Sequence, residues 1–253
     1  MRLAAWLMQA ANELLDLLLP PACPLCSSLL PPGPATVFCP SCHREIPPLP
    51  TPCCSRCALP FATAGGQNHL CAGCLAEKTP AFSRVQAAGL YDGLLRRAVQ
   101  RFKYSGAIGL DHPLGALLAS RIDPGPAQLL VPVPLHPSRL RQRSYNQSLL
   151  LARCLGRQVG LPVAADLLHR IRATPSQQGL PAAVRRRNLQ GAFALCEAPG
   201  PRNILLIDDV MTTGSTAREC TRTLLAGGAL RVDVAVVARA GNLLAPCQPG
   251  GIY

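Results

Sequence analysis

Ile204-Leu205-Leu206-Ile207-Asp208-Asp209-Val210-Met211-Thr212-Thr213-Gly214-Ser215-Thr216 reads as a strand, a turn and the start of a helix. Four apolar residues make a buried strand, Asn203–Ile207, and two carboxylates emerge at its end. The turn that follows is rich in hydroxyls and feeds a helix, whose free amides and positive dipole end receive an anion. Gly214 lets the backbone approach that anion closely, and Thr212, Thr213, Ser215 and Thr216 add hydroxyl donors. Lacking a Gly-Lys-Ser/Thr, the run is not a nucleoside-triphosphate loop. A helix cap alone would account for Thr and Ser, but not for two acids set against a site that prefers anions. A sugar phosphate satisfies both, its hydroxyls on the acids and its phosphate on the turn.

Outward from this run, strand and helix patterns alternate. Leu94–Lys103, Leu114–Ile122, Asn146–Val159 and Ser215–Ala226 carry helical periods, while Leu129–Val133 and Val232–Ala238 read as buried strands. The expectation is an α/β fold, a parallel sheet flanked by helices with ligands beyond the carboxyl ends of its strands. Pro134–Asn146 stands at one such end and Asp208–Thr216 at another. Ile171–Leu189 is polar, Arg-rich and without period, as a long functional loop would be.

Before residue 80 the sequence is Cys- and Pro-rich. Nine of the thirteen cysteines fall between Cys23 and Cys74, eight of them in four C-x-x-C clips: Cys23/Cys26, Cys39/Cys42, Cys54/Cys57 and Cys71/Cys74. Two clips enclose a tetrahedral ion, so four clips make two closed sites that serve folding rather than catalysis. Zinc is the expected ion, and an iron–sulfur cluster is the rival. Cys53 could replace Cys54, and clips could pair across the sites instead of in chain order. The odd cysteine count and scattered Cys154, Cys196, Cys220 and Cys247 argue against an oxidised scaffold and for a cytoplasmic protein.

The division expected is an amphipathic helix over 1–20, a cysteine module over 21–80, the α/β domain over 81–240 and a tail over 241–253. Leu3, Leu7, Ala10, Leu14 and Leu18 recur at helical spacing, and no apolar stretch reaches the roughly twenty residues of a transmembrane segment. The 253 residues carry a net charge of +12, which calls for anionic partners. Residues 131–190 alone hold ten Arg, no Lys and one Asp. Arg grips phosphate oxygens in pairs, so this bias suits phosphate recognition.

The Asp208–Thr216 run resembles the phosphoribosyl pyrophosphate (PRPP) motif of type I phosphoribosyltransferases, and the chain as a whole resembles the ComF/GntX family of competence- and gluconate-associated proteins. That resemblance also rests on the paired clips, Arg101–Gly106, Val131–Pro137, Arg143–Gln147, and Thr174, Gln177, Arg185 and Asn188. It departs at Ala58, where the family usually has Gly, and at Ser144-Tyr145, where Gly-Phe is commoner.

The resemblance implies that Asp208 and Asp209 hold the ribose hydroxyls and that the run through Val210, Met211, Thr212, Thr213, Gly214, Ser215 and Thr216 holds the 5′-phosphate. It further implies a pyrophosphate loop around His136, Pro137 and Arg139 and a flexible lid with Arg170, Thr174, Gln177, Arg185 and Asn188. The reaction implied is transfer of phosphoribosyl from PRPP, with Mg2+, to a base or amine acceptor that the sequence does not identify. Asp209 is a candidate base, although ribose binding is its expected role. The alternative implied by an association with competence is a non-catalytic PRPP sensor or a binder of single-stranded DNA. An aromatic content of 4% leaves few platforms on which bases could stack.

Overall fold

The computed structural model describes residues 20–30, 38–63, 65–173 and 188–241. Its strands are β1 (Val85–Leu90), β2 (Leu129–Pro132), β3 (Leu168–Arg170), β4 (Phe193–Leu195), β5 (Asn203–Met211) and β6 (Arg231–Arg239). Its helices are α1 (Pro40–Arg44), α2 (Ala72–Leu75), α3 (Gly93–Tyr104), α4 (Asp111–Arg121), α5 (Pro137–Arg143), α6 (Gln147–Val159) and α7 (Ser215–Ala226).

β5 and β6 are near-continuous apolar runs, as strands covered on both faces must be. They form the middle of a four-stranded parallel sheet ordered β1-β6-β5-β2. Side chains alternate between its faces. Ile204, Leu206, Val234 and Val236 pack with Val131, with Ala217, Cys220 and Leu224 of α7, and with Cys54, Cys57 and Cys74. The other face is covered by α4, which packs on β1 and β6, and by α6, which packs on β2 and β5. The expected parallel sheet with helices on both faces is therefore present.

The sequence reading ended the central strand at Ile207, with both acids beyond it. Instead β5 runs on to Met211, because β6 continues to pair with it through Asp208↔Val236, Val210↔Ala238 and Met211↔Arg239. On its other side β2 stops at Pro132↔Ile207. The acids thus lie within β5 but overhang the end of β2, and a cleft opens there. Helix α5 forms inside Pro134–Asn146, and β1, β3 and β4 are further elements that periodicity did not disclose. The antiparallel pair β3–β4 brackets the long loop.

By its contacts the chain divides into two compact units, Met1–Glu45 and Ile46–Tyr253. The compositional change near residue 80 lies inside the second unit, whose core includes the cysteines of the third and fourth clips. The amphipathic pattern of Leu3–Leu18 and the tail beyond Gly241 fall outside the described residues. Among the described residues, no helix is long and apolar enough to cross a membrane.

Candidate functional site: a polar cleft beside a cysteine centre

The cleft above β2 has a volume of about 400 Å³ and is lined by Asp208, Asp209, Val210, Thr212 and Thr216 from β5, the turn after it and the first turn of α7. Facing them are Lys103 and Tyr104 of α3, Arg139 and Arg143 of α5, Gln147 and Ser148 of α6, and Arg170 at the end of β3. Four cationic side chains therefore surround two carboxylates, which makes the cleft a receptor for an anion that also carries hydroxyls.

Each group is held by an element that ends at the cleft. Asn146 caps α6, accepting from the Ser148 N–H at 3.0 Å and donating to the Val133 carbonyl at 3.1 Å. That cap aims Ser148, whose hydroxyl donates to Asp208 at 3.0 Å. Tyr145 and Gln147 donate to the Phe102 carbonyl at 2.6 and 3.3 Å, which ties the last turn of α3 to the start of α6. Lys103, next in α3, thereby meets Asp209 at 2.9 Å. Arg143 donates to Gln147 at 3.2 Å and lies 5.0 Å over the Tyr104 ring.

The two acids differ. Burial first, and then the charge of Asp209, push the Asp208 carboxyl up to about 7, while Lys103, the Asp209 N–H and Ser148 pull the other way. Burial opposes the charge on Lys103, but the adjacent Asp209, with Asp208 beyond it, outweighs burial and raises its pKa. Asp209 is thus the paired acid and Asp208 the one poised near neutrality.

Beyond the acids, Val210–Ala217 wraps a cradle of about 30 Å³. Gly214, at φ 76°, is the N-cap of α7. A Cβ there would stand 2.4 Å from the Met211 side chain and 2.8 Å from Arg218, so the turn closes only with glycine. Thr213 and Ser215 join hydroxyls at 2.9 Å, and Arg218 holds the Thr213 carbonyl at 2.9 Å.

The residues named from sequence divide in three ways. Asp208, Asp209, Thr212, Thr216, Arg139 and Arg170 share the cleft, and Arg170 lies 5.6 Å over Phe193. His136 turns its ring back to cap α5, accepting from the Ser138 N–H at 3.3 Å, and Pro137 occupies the first turn of that helix. Asn188 is at the end of the long loop, where its carbonyl accepts from Arg172 at 3.0 Å, whereas Thr174, Gln177 and Arg185 lie outside the described residues. Lys103, Arg143, Gln147 and Ser148 were not singled out. Lys103 and the Arg143–Gln147 stretch carried part of the family resemblance, but no local pattern announces that they converge.

The cysteines form two groups in chain order, Cys23/Cys26/Cys39/Cys42 and Cys54/Cys57/Cys71/Cys74, with the four sulfurs of each within 4.8 Å of one another. A tetrahedral zinc with bonds of about 2.3 Å sets ligand sulfurs about 3.8 Å apart. Cys57 and Cys71 sulfurs stand 3.7 Å apart and those of Cys26 and Cys39 3.5 Å apart, which fits one ion rather than a cluster of several. Backbone amides serve the same sulfurs, as Cys71 N–H to Cys54 Sγ at 3.3 Å and Cys42 N–H to Cys39 Sγ at 3.4 Å.

Burial opposes ionisation of Cys54, yet the amides of Cys57, Cys71 and Arg56 bring it down to about 6, while burial pushes Cys42 and Cys74 up. Four crowded thiols of this kind ionise together only around a cation. Cys54 belongs to the second group, and Cys53 stands outside it with its N–H on Asn68.

Residues 14–78 match the double zinc ribbon domain. Competence protein F of Haemophilus influenzae is 33% identical over 213 residues, 80% of this chain and 90% of its own length. DNA utilization protein YhgH of Escherichia coli K12 is 34% identical, covering 72% of this chain and 81% of its own. Competence protein ComFC of Bacillus subtilis is 26% identical over 75% of this chain and 78% of its own. One-third identity sustained along nearly the whole of the Haemophilus protein, with the cysteine groups in place, shows that the chain belongs to the competence protein F (ComF/GntX) family.

Proposed function

We propose that the cleft binds PRPP, with Asp208 and Asp209 on the ribose hydroxyls, Val210–Thr216 on the 5′-phosphate and Arg139, Arg143 and Arg170 facing the pyrophosphate. The observation that carries this reading is the placing of two carboxylates directly against an anion cradle, inside a ring of four cations. The carboxylate oxygens suit Mg2+, which would neutralise charge between ribose and pyrophosphate oxygens. Phosphoribosyl then passes from pyrophosphate to a nitrogen acceptor, with the C1–O bond to pyrophosphate breaking as a C1–N bond forms and the acceptor's N–H proton leaving to solvent. Arg139 and Arg170 stabilise the leaving charge. The segment between β3 and β4 acts as the lid that keeps water from C1. The reading places the protein in the cytoplasm, where thiols remain available for zinc.

The test is calorimetric titration with PRPP and Mg2+ of the native protein and of the Asp208→Asn/Asp209→Asn variant. Binding to the native protein alone is the expected result, followed by pyrophosphate release with one of a panel of bases and amines. Native protein that binds no PRPP would refute the reading.

A second reading follows from the names of the relatives, two of which are competence proteins and one a DNA utilization protein. It holds that the Arg-rich face engages single-stranded DNA during uptake. Such binding weakens steeply with salt and survives Asp208→Asn/Asp209→Asn, whereas PRPP binding does not.

A further inference from the structure

Arg239, the last residue of β6, is 3% exposed, and its guanidinium reaches in two directions. Toward the cysteines, Nε donates to the Cys57 carbonyl at 2.8 Å and Nη2 stands 3.9 Å from Cys57 Sγ. Toward the cleft, Nη1 donates to the carbonyls of Met211 at 3.0 Å, of Thr212 and of Ala240. Thr212 lines both the cleft and the phosphate cradle. Among the described residues no carboxylate pairs with Arg239, although a buried guanidinium demands a counter-charge.

The second cysteine group supplies one. Four thiolates around a divalent ion leave net negative charge, a few ångströms from the guanidinium. A parallel strut runs beside it, where Arg218 pairs with Glu77 at 3.1 Å just after the fourth clip and holds the Thr213 carbonyl at 2.9 Å.

We propose that Arg239 is a positioning residue that couples the second zinc centre to the phosphate-binding turn. The charged centre compensates the buried guanidinium, and the guanidinium clamps the Met211 and Thr212 carbonyls so that the turn keeps its shape. Loss of this zinc would loosen the ligand site, and a ligand on the turn would hold the zinc more tightly, by the reciprocity of linked equilibria. The coupling to ligand rests on the reading of the turn as a sugar-phosphate site, but the coupling of zinc to turn does not.

The experiment compares full-length, zinc-loaded native protein with Arg239→Gln and Arg239→Lys by hydrogen-exchange mass spectrometry and by the rate of zinc loss to a chelator. In Arg239→Gln, exchange over residues 211–216 rises, and one of the two zinc ions leaves about tenfold faster, the scale expected for a group just outside a metal's own ligands. Arg239→Lys keeps the charge without the fork, so zinc retention recovers while the turn still exchanges faster than in the native protein. Unchanged exchange at 211–216, or zinc loss equally fast from both sites, would overturn the proposal.

If the variants do not fold, chelation of the native protein decides. Removal of both zinc ions either loosens 211–216, as expected, or leaves it unchanged and refutes the coupling. A parallel PRPP titration separates the two readings. Native protein that fails to bind PRPP refutes the sugar-phosphate site, while the exchange data still judge the link between zinc and turn.

Discussion

Ala58 and Ser144 adopt φ of 54° and 66°, a left-handed conformation that costs residues with a Cβ about 1 kcal/mol or more. Both are the positions where glycine is usual in the family that the chain resembles. Ala58 follows the third clip, and Ser144 ends α5 beside the cleft. Ala58→Gly and Ser144→Gly are each expected to stabilise the protein by about 1 kcal/mol in urea unfolding, the relief at φ > 0 outweighing the entropy of glycine.

Asp208 belongs to the same scale. Its carboxyl is raised to about 7, so the native protein holds a proton that the unfolded chain releases near the ordinary carboxylate pKa. The stability this contributes is present at acid pH and is lost as pH rises through about 7. Asp208→Asn is therefore expected to raise the melting temperature at pH 8 with little effect at pH 4, while removing PRPP binding. In the native protein PRPP affinity is expected to increase from pH 6 to pH 8, measured against the ligand's own phosphate titration near 6.

At the scale of elements, α4 and α6 approach so closely that a Cβ on Gly115 would stand 2.5 Å from Cys154. Cys154, one of the scattered cysteines, is thus a small buried residue filling a narrow helix contact. Gly115→Ala forces the helices apart at a cost of about 1–3 kcal/mol. Because α6 carries Ser148 to the acids, PRPP affinity should fall together with the unfolding midpoint, and Cys154→Gly in the Gly115→Ala background, which removes both the Cβ and the sulfur that a Cβ at 115 meets, should restore part of both. An unchanged midpoint in Gly115→Ala would show that the helices do not meet so closely.

The central strand shows why the reading from sequence stopped short. The apolar run of β5 ends at Ile207, and acids ordinarily end a buried strand, yet the backbone pairing with β6 carries it to Met211. Helix α5 has no buried residue, so it has no apolar period to be read.

For the whole molecule, zinc content and stability are the coupled quantities. Native protein is expected to carry two zinc ions, in line with its two cysteine groups. Cys23→Ser/Cys26→Ser and Cys54→Ser/Cys57→Ser should each carry one. The second pair lies in the same core as Val85, Val234 and Val236, so its loss is expected to lower the melting midpoint of the Ile46–Tyr253 unit by roughly 10 °C or more. Metal analysis by mass spectrometry and calorimetric melting check both.

The sequence by itself determined what local spacing can encode. Clip intervals specified the clips but not how they pair, apolar periods specified most helices and three of the sheet's strands, and the Asp208–Thr216 run specified the carboxylates and the cradle. Only the tertiary structure decided which side chains converge. Lys103 on Asp209, Arg143 over Tyr104, Ser148 on Asp208 and Arg239 between Cys57 and Thr212 join segments far apart in the chain. A Lys or Arg at the end of a helix or strand has the same local signature whether it meets solvent or a buried acid. Its partner is chosen by how helices settle on a twisted sheet, and no spacing along the chain records that.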